Sequence, residues 1–191
     1  MPTMTVYTIG HSTHSLERLV ELLSERGVSG LVDVRTAPRS RRTPQFNREA
    51  LRSELPNASI EYLHVPELGG WRSPRSDSEE NAGWRHRSFR GYADHMSSEE
   101  FATGLARLSE VAGERPTACM CAEAPWWRCH RRLIADALVA RGWDVCHIGP
   151  EGRVARHELT EFALVGEGGR VTYRSGEAAR ARVRRWHHVT G

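Results

Sequence analysis

Val6-Tyr7-Thr8-Ile9-Gly10-His11-Ser12, followed by Ser15-Leu16-Glu17-Arg18-Leu19-Val20-Glu21-Leu22-Leu23 and closed at Gly27, reads as a strand, a turn and a helix in that order. The first four residues are apolar, aromatic or β-branched and stop at a glycine. Ser15 is placed to cap a helix, the leucines and Val20 recur at three- and four-residue spacing, and Gly27 ends the pattern. The same alternation repeats outward. Gly30–Arg35 is a second strand, Asn47 caps a shorter helix up to Leu55, and Ile60–Val65 is a third strand. Ser97 to Glu100 has the spacing of a capping box before Phe101, Leu105, Leu108 and Val111. Thr117–Cys121 is a fourth strand, Arg131–Arg141 a helix stopped by Gly142, and Asp144–Ile148 a fifth strand. Strands alternating with helices predict an α/β fold. We expect three layers, a mostly parallel five-stranded sheet with helices on both faces, Rossmann-like. In such sheets ligands bind beyond the carboxyl ends of the strands.

Two stretches break the alternation. Residues 67–95 are polar and rich in Gly, Ser and Arg, with Trp71 and Trp84 among them; a long loop or lid is expected there. From Arg170 onward six arginines face one acid, Glu177, so a basic C-terminal arm is expected over 170–191, behind a single domain over 1–169.

Composition narrows the function. The chain has 191 residues, 39% hydrophobic and 27% charged, as in ordinary globular proteins. No apolar run reaches membrane-spanning length and no secretory pattern opens the chain, so a cytoplasmic protein without membrane partners is expected. All 27 basic residues are arginines. Without lysine there is neither a Schiff-base former nor a Walker P-loop, but there are many planar donors for phosphates and carboxylates. The segment Arg35–Arg52 gathers six arginines against one glutamate, and with Trp71, Trp84 and Trp126 it has the makings of a surface that tracks phosphates and stacks bases. A solvated loop and core tryptophans explain the same residues.

Three of the four cysteines lie within Cys119-Met120-Cys121-Ala122-Glu123-Ala124-Pro125-Trp126-Trp127-Arg128-Cys129-His130-Arg131. Period two puts Cys119 and Cys121 on one face of a strand, with Glu123 just beyond. Cys129 and His130 open a helix, where the dipole favours a thiolate. The cluster reads as buried small residues, as a zinc site through Cys121, Cys129 and His130, or as an activated thiol beside an anion pocket. Six residues separate Cys121 from Arg128, whereas phosphatase-like loops have five, so that mechanism is disfavoured. No cofactor is expected. Other strand ends bring His11, Asp33, Arg35 and His64 to the same edge.

Several motifs carry a resemblance. Tyr7–Ser12, Asp33-Val34-Arg35 with Pro38 and Ser40, Phe46-Asn47, Tyr62 with His64, Leu68-Gly69-Gly70, Gly91-Tyr92-Ala93 with Met96, Cys121-Ala122-Glu123 and Cys129-His130-Arg131 stand in that order between about residues 6 and 150. On these residues the chain resembles the domain-of-unknown-function 488 family. The resemblance implies an α/β domain with the motif residues gathered in one pocket, and implies no reaction.

The leading expectation is an enzyme acting on a phosphate-bearing or nucleic-acid-derived substrate, by hydrolysis or by glycosidic cleavage of a modified or damaged base. Asp33 or Glu123 would serve as acid, base or cation stabiliser, Glu123 with its pKa raised by burial. Cys121 would supply a thiol, His11 or His64 would orient the substrate, and Arg35 and Arg131 would hold anionic groups. Ser12, Arg39, Ser40, Gly69, Gly70, Tyr92, Cys129 and His130 would complete the pocket. The alternatives are a nucleic-acid-binding module without catalysis, and a thiol redox or metal-handling protein using Cys121 and Cys129.

Overall fold

The computed structural model describes residues 4–75 and 79–175. Strands β1 (Thr5–Gly10), β2 (Gly30–Asp33), β3 (Glu61–His64), β4 (Thr117–Cys121) and β5 (Asp144–Ile148) run parallel, and β6 (Val154–Arg156) adds an antiparallel edge. The order is β3-β2-β4-β1-β5-β6. The sheet thus has six strands rather than five. The extra one is three exposed residues, too short to announce itself as a strand.

The sheet has a helix layer on each face. Leu19, Leu22 and Leu23 of α1 (Leu16–Ser24) and Leu51 of α2 (Arg48–Glu54) pack with Ile9, Leu31, Ala118, Met120 and Ile148 on one side. Phe101, Leu105 and Leu108 of α4 (Glu99–Glu114) and Leu133, Ile134 and Leu138 of α5 (Arg131–Val139) pack with Val6, Val32, Cys119 and Val145 on the other. Alternate residues of β4 therefore face opposite layers, as period two requires. Ser15 caps α1, accepting the Arg18 N–H at 3.1 Å. α4 is capped by Ser98, one residue later than expected; its hydroxyl accepts the Phe101 N–H at 3.1 Å. Asn47 stands at the N-cap of α2 but turns its side chain away, and its Oδ1 accepts the Ser40 N–H at 2.6 Å, which pins the loop after β2.

The polar segment 67–95 is not a structureless lid. It ends in α3 (Arg87–His95), whose Tyr92 and His95 are buried. Gly91 sits within this helix because a Cβ there would lie 2.5 Å from the Arg72 carbonyl oxygen; close backbone contact, not a turn, accounts for it. The boundary at 169/170 also moves. β7 (Leu164–Val165) pairs with β8 (Val171–Thr172), and Tyr173 is fully buried with its hydroxyl 2.7 Å from Asp136 Oδ2. Residues 170–175 belong to the domain; the remainder of the expected arm, 176–191, lies outside the described residues. Among the described residues no helix is long and apolar enough to cross a membrane.

The topology fixes where a site can form. The neighbours β1 and β4 are followed by helices on opposite faces, α1 on one and α5 on the other. Their carboxyl ends diverge into a crevice. Register aligns Gly10 with Cys121, Asp33 with Met120 and Asp33 with His64, so the polar residues that follow each strand emerge side by side.

Candidate active site

A cavity of about 590 Å³ opens at this edge. Its walls include His11, Arg35, Arg39 and Ser40 from the loops after β1 and β2, and Gly70, Tyr92 and Glu123 from the opposite rim. Cys121, Cys129 and His130 line it as well. Ser12, Asp33, His64, Gly69 and Arg131 stand behind the wall and act on it through neighbours.

The loops are interlocked by backbone bonds. The His11 and Ser12 N–H groups donate to the Cys121 and Ala122 carbonyls at 2.9 and 3.0 Å. The approach is close enough that a Cβ on Gly10 would lie 1.9 Å from the Glu123 carbonyl oxygen. Ser12 adopts a left-handed φ of 46° to make the turn. On the other rim a Cβ on Gly70 would lie 2.5 Å from His130 Nδ1, and one on Gly69 2.5 Å from Thr36 Oγ1. The paired glycines let this loop press against the His130 ring.

Asp33 is fully buried. Its Oδ1 accepts the Arg35 Nε–H at 2.8 Å and the Arg35 backbone N–H at 3.1 Å, and its Oδ2 accepts Arg35 Nη2 at 2.5 Å and the Tyr62 hydroxyl at 2.7 Å. A carboxylate so occupied has no face left for an acid–base role; it holds Arg35 by a bidentate fork. Arg35 Nη2 also donates to the Phe46 carbonyl at 2.7 Å, and Nη1 to His11 Nε2 at 3.2 Å. Arg35 also lines the cavity. Burial and then the Asp33 charge push the Tyr62 phenol well above its usual range.

His11 donates through Nδ1 to the Ser12 carbonyl at 2.9 Å and stacks on Phe46 at 4.2 Å. Burial, then the Arg35 charge, lower its pKa to about 4. It is a neutral acceptor for Arg35 at neutral pH. His64 donates Nε2–H to the Arg35 carbonyl at 2.8 Å and does not reach the cavity. Asp33 and His11 thus hold the Arg35 guanidinium between them, and His64 holds the backbone of the same residue.

The thiols form the floor. Cys121 and Cys129 are 2% and 3% exposed, and their sulfurs are 2.8 Å apart. His130 gives Nε2–H to the Val34 carbonyl at 2.9 Å, which leaves Nδ1, 3.5 Å from Cys129 Sγ, to accept the thiol proton. Arg131 is 1% exposed and donates Nε–H to Cys121 Sγ at 3.0 Å, Nη1–H to Thr8 Oγ1 at 3.3 Å and Nη2–H to the Glu123 carbonyl. Among the described residues no carboxylate forms an ion pair with Arg131. A buried guanidinium needs a counter-charge, and the thiols supply it. Burial opposes the Cys129 thiolate, yet the hydrogen bond from Cys121 and the charges of His130 and Arg131 overcome it and hold its pKa well below 9. Burial and the neighbouring Cys129 charge push the Cys121 thiol up. The two shifts run in opposite directions and favour Cys129 as the thiolate of the pair. Cys119 faces α5 and α4 in dry packing, where burial raises its pKa to about 12.

Glu123 is exposed at the mouth, so the burial expected for it is absent. Among the described residues no three His, Cys, Asp or Glu side chains are grouped to hold a metal ion. Of the tryptophans expected as stacking platforms only Trp71, 79% exposed, reaches the cavity. Trp84 packs inside against Phe89 at 4.8 Å, and Trp126 lies flat on His147 at 3.9 Å.

Sequence reasoning passed over the polar chain behind Arg131. Thr8 donates to His147 Nδ1 at 2.6 Å, His147 Nε2 contacts His157 Nδ1 at 2.9 Å, and His157 Nε2 donates to Asp136 Oδ1 at 2.9 Å. The signal was present: Thr8 and His147 interrupt two apolar strands in matching register. Ser88 and His86, also on the rim, carried no signal because α3 itself went unread.

No curated protein and no solved structure matches the chain. The family model described as domain of unknown function DUF488 matches residues 15–138, from the cap of α1 through most of α5. That span carries the aspartate–arginine fork, the paired glycines and both thiols, and it covers well over half of the sequence. The chain belongs to the DUF488 family.

Proposed function

We propose that this protein is a thiol-dependent enzyme that acts on a phosphate-bearing or nucleic-acid-derived substrate, with Cys129 as its nucleophile. One observation carries the reading: a buried arginine that, among the described residues, pairs with no carboxylate and donates to a thiol on the floor of an open cavity. Such an arrangement keeps sulfur ionised at neutral pH, and ionised sulfur is the reactive form. The walls support the substrate class. Arg35, Arg39 and Arg128 line the cavity with cationic forks, while Trp71 and Phe89 offer ring faces, a pairing suited to a phosphate next to a base.

In the hydrolytic form of this reaction His130 Nδ1 already holds the Cys129 proton, and the thiolate attacks the electrophilic atom of the substrate. The leaving group departs with the bonding pair and takes the proton back. Water then cleaves the covalent intermediate, with Glu123 at the mouth placed to accept its proton. Glycosidic cleavage by a buried carboxylic acid has less support, because Asp33 is committed to Arg35 and Glu123 is exposed.

The test is protection. Cys129 in the intact chain is alkylated with iodoacetamide alone, with inorganic phosphate, and with a nucleoside monophosphate. Slower labelling with both anions, strongest with the nucleotide, and loss of that protection in Arg39→Ala/Arg128→Ala, is the expected result. Labelling that ignores both anions would overturn the substrate class.

A further inference from the structure

We propose that Cys121 and Cys129 are also a two-electron redox pair, in which oxidation by a hydroperoxide joins the two sulfurs and switches the nucleophile off. This deepens the functional reading and rests on it, since the same Cys129 thiolate starts both reactions. The geometry carries the proposal. The sulfurs of two unbridged cysteines lie 2.8 Å apart, nearer than non-bonded sulfurs normally pack, and both line the cavity that a small oxidant can enter. Cys119, the third thiol of the segment, is fully buried and does not line the cavity.

The chemistry balances. The Cys129 thiolate attacks one peroxide oxygen, the O–O bond breaks, and an alkoxide or hydroxide leaves with the electron pair and takes a proton. Cys129 becomes a sulfenic acid. Cys121 then attacks the Cys129 sulfur. An S–S bond forms, the S–O bond breaks, and the departing hydroxide takes the Cys121 proton and leaves as water. Two thiols have each given up one electron, and the peroxide has been reduced to an alcohol and water, or to two waters.

The structure also gives the disulfide a reason to reopen. Oxidation removes the thiolate beside the Arg131 guanidinium, which is 1% exposed and has no carboxylate partner among the described residues, so it loses its counter-ion. An unpaired buried cation is costly. The oxidised state is therefore the less stable one, and a dithiol reductant returns it readily to the thiol form.

The experiment uses the full chain with hydrogen peroxide, followed by blocking of remaining thiols and peptide mapping. The expected result is a peptide joining Cys121 to Cys129, reversed by dithiothreitol, with a lower melting temperature for the oxidised chain. In Cys121→Ser the reaction is expected to stop at Cys129 sulfenic acid, captured as a dimedone adduct that the unaltered chain does not give. A Cys129 that alkylates at neutral pH but passes to sulfinic acid without joining Cys121 overturns this inference alone. A Cys129 that neither alkylates nor oxidises overturns the functional reading with it. The mapping of the unaltered chain decides the matter even where the serine variant does not fold.

Discussion

Arg131 Nε lies 3.0 Å from Cys121 Sγ, and this contact ties the charge of the helix α5 to the end of strand β4. It follows that Arg131 is as much a part of the thiol chemistry as the sulfurs are. Replacing it with Gln keeps a donor but removes the charge. We expect Arg131→Gln to lose about 3 kcal/mol of stability in urea denaturation, the usual scale for breaking a buried ionic contact. The same variant should move Cys129 alkylation toward the ordinary thiol range. Unchanged alkylation in a folded Arg131→Gln would mean that the guanidinium does not set the thiolate.

Asp33 and Glu123, both carboxylates at the strand ends, differ sharply in their surroundings. Asp33→Asn removes the charge that grips Arg35 and leaves a buried guanidinium half-satisfied; a loss of about 3 kcal/mol is expected. Glu123→Gln changes an exposed side chain and should stay within about 0.5 kcal/mol of the parent. Parallel denaturation curves compare them. Equal, small effects would refute the assignment of Asp33 as the clamp on Arg35.

The glycines make separate predictions. Gly10→Ala drives a Cβ into the Glu123 carbonyl oxygen, a backbone atom fixed by its own hydrogen bond from Arg131. A loss of about 3 kcal/mol is expected from such overpacking. Gly70→Ala meets the His130 ring instead. It should cost less stability, visible as a smaller fall in melting temperature, and should slow Cys129 alkylation more, because it displaces the group that accepts the thiol proton.

Acid stability follows from two buried histidines. The pKa of His11 is lowered from 6.5 to about 4 and that of His147 to about 3, in each case by burial first. The unfolded chain therefore binds protons that the native chain refuses. Stability is complete above pH 6.5 and falls as the pH drops toward 4 and 3. His147→Gln is expected to flatten part of this slope in denaturation curves taken across that range. An unaltered slope would show that His147 is not held neutral.

Much of this arrangement was legible in the residues. Apolar strands and leucine-striped helices gave the layers, because both follow from where one chain must bury carbon. The thiols and His130 were legible as a cluster because seven residues of loop return Cys129 to Cys121. Other features depend on contacts that local pattern does not carry. α3 contains Gly91 and few apolar residues, and it forms because its buried face meets the chain at Arg72–Pro74 and the aromatic ring of Phe101. Asp33 reads as a candidate acid until the partner two residues on, Arg35, is seen to fold back on it. Tyr173 reads as part of a tail until Asp136 is found waiting in the core.

The central claim is that Cys129 is ionised at neutral pH on the floor of an open cavity. Its most direct test is the rate of Cys129 alkylation by iodoacetamide in the intact chain as a function of pH, with the site located by peptide mapping. We predict a rate that is already at its plateau at neutral pH, with its half-point well below 9, while Cys119 stays unmodified. A rate that climbs about tenfold with each pH unit through pH 8 and reaches its half-point at the ordinary thiol value would contradict the account.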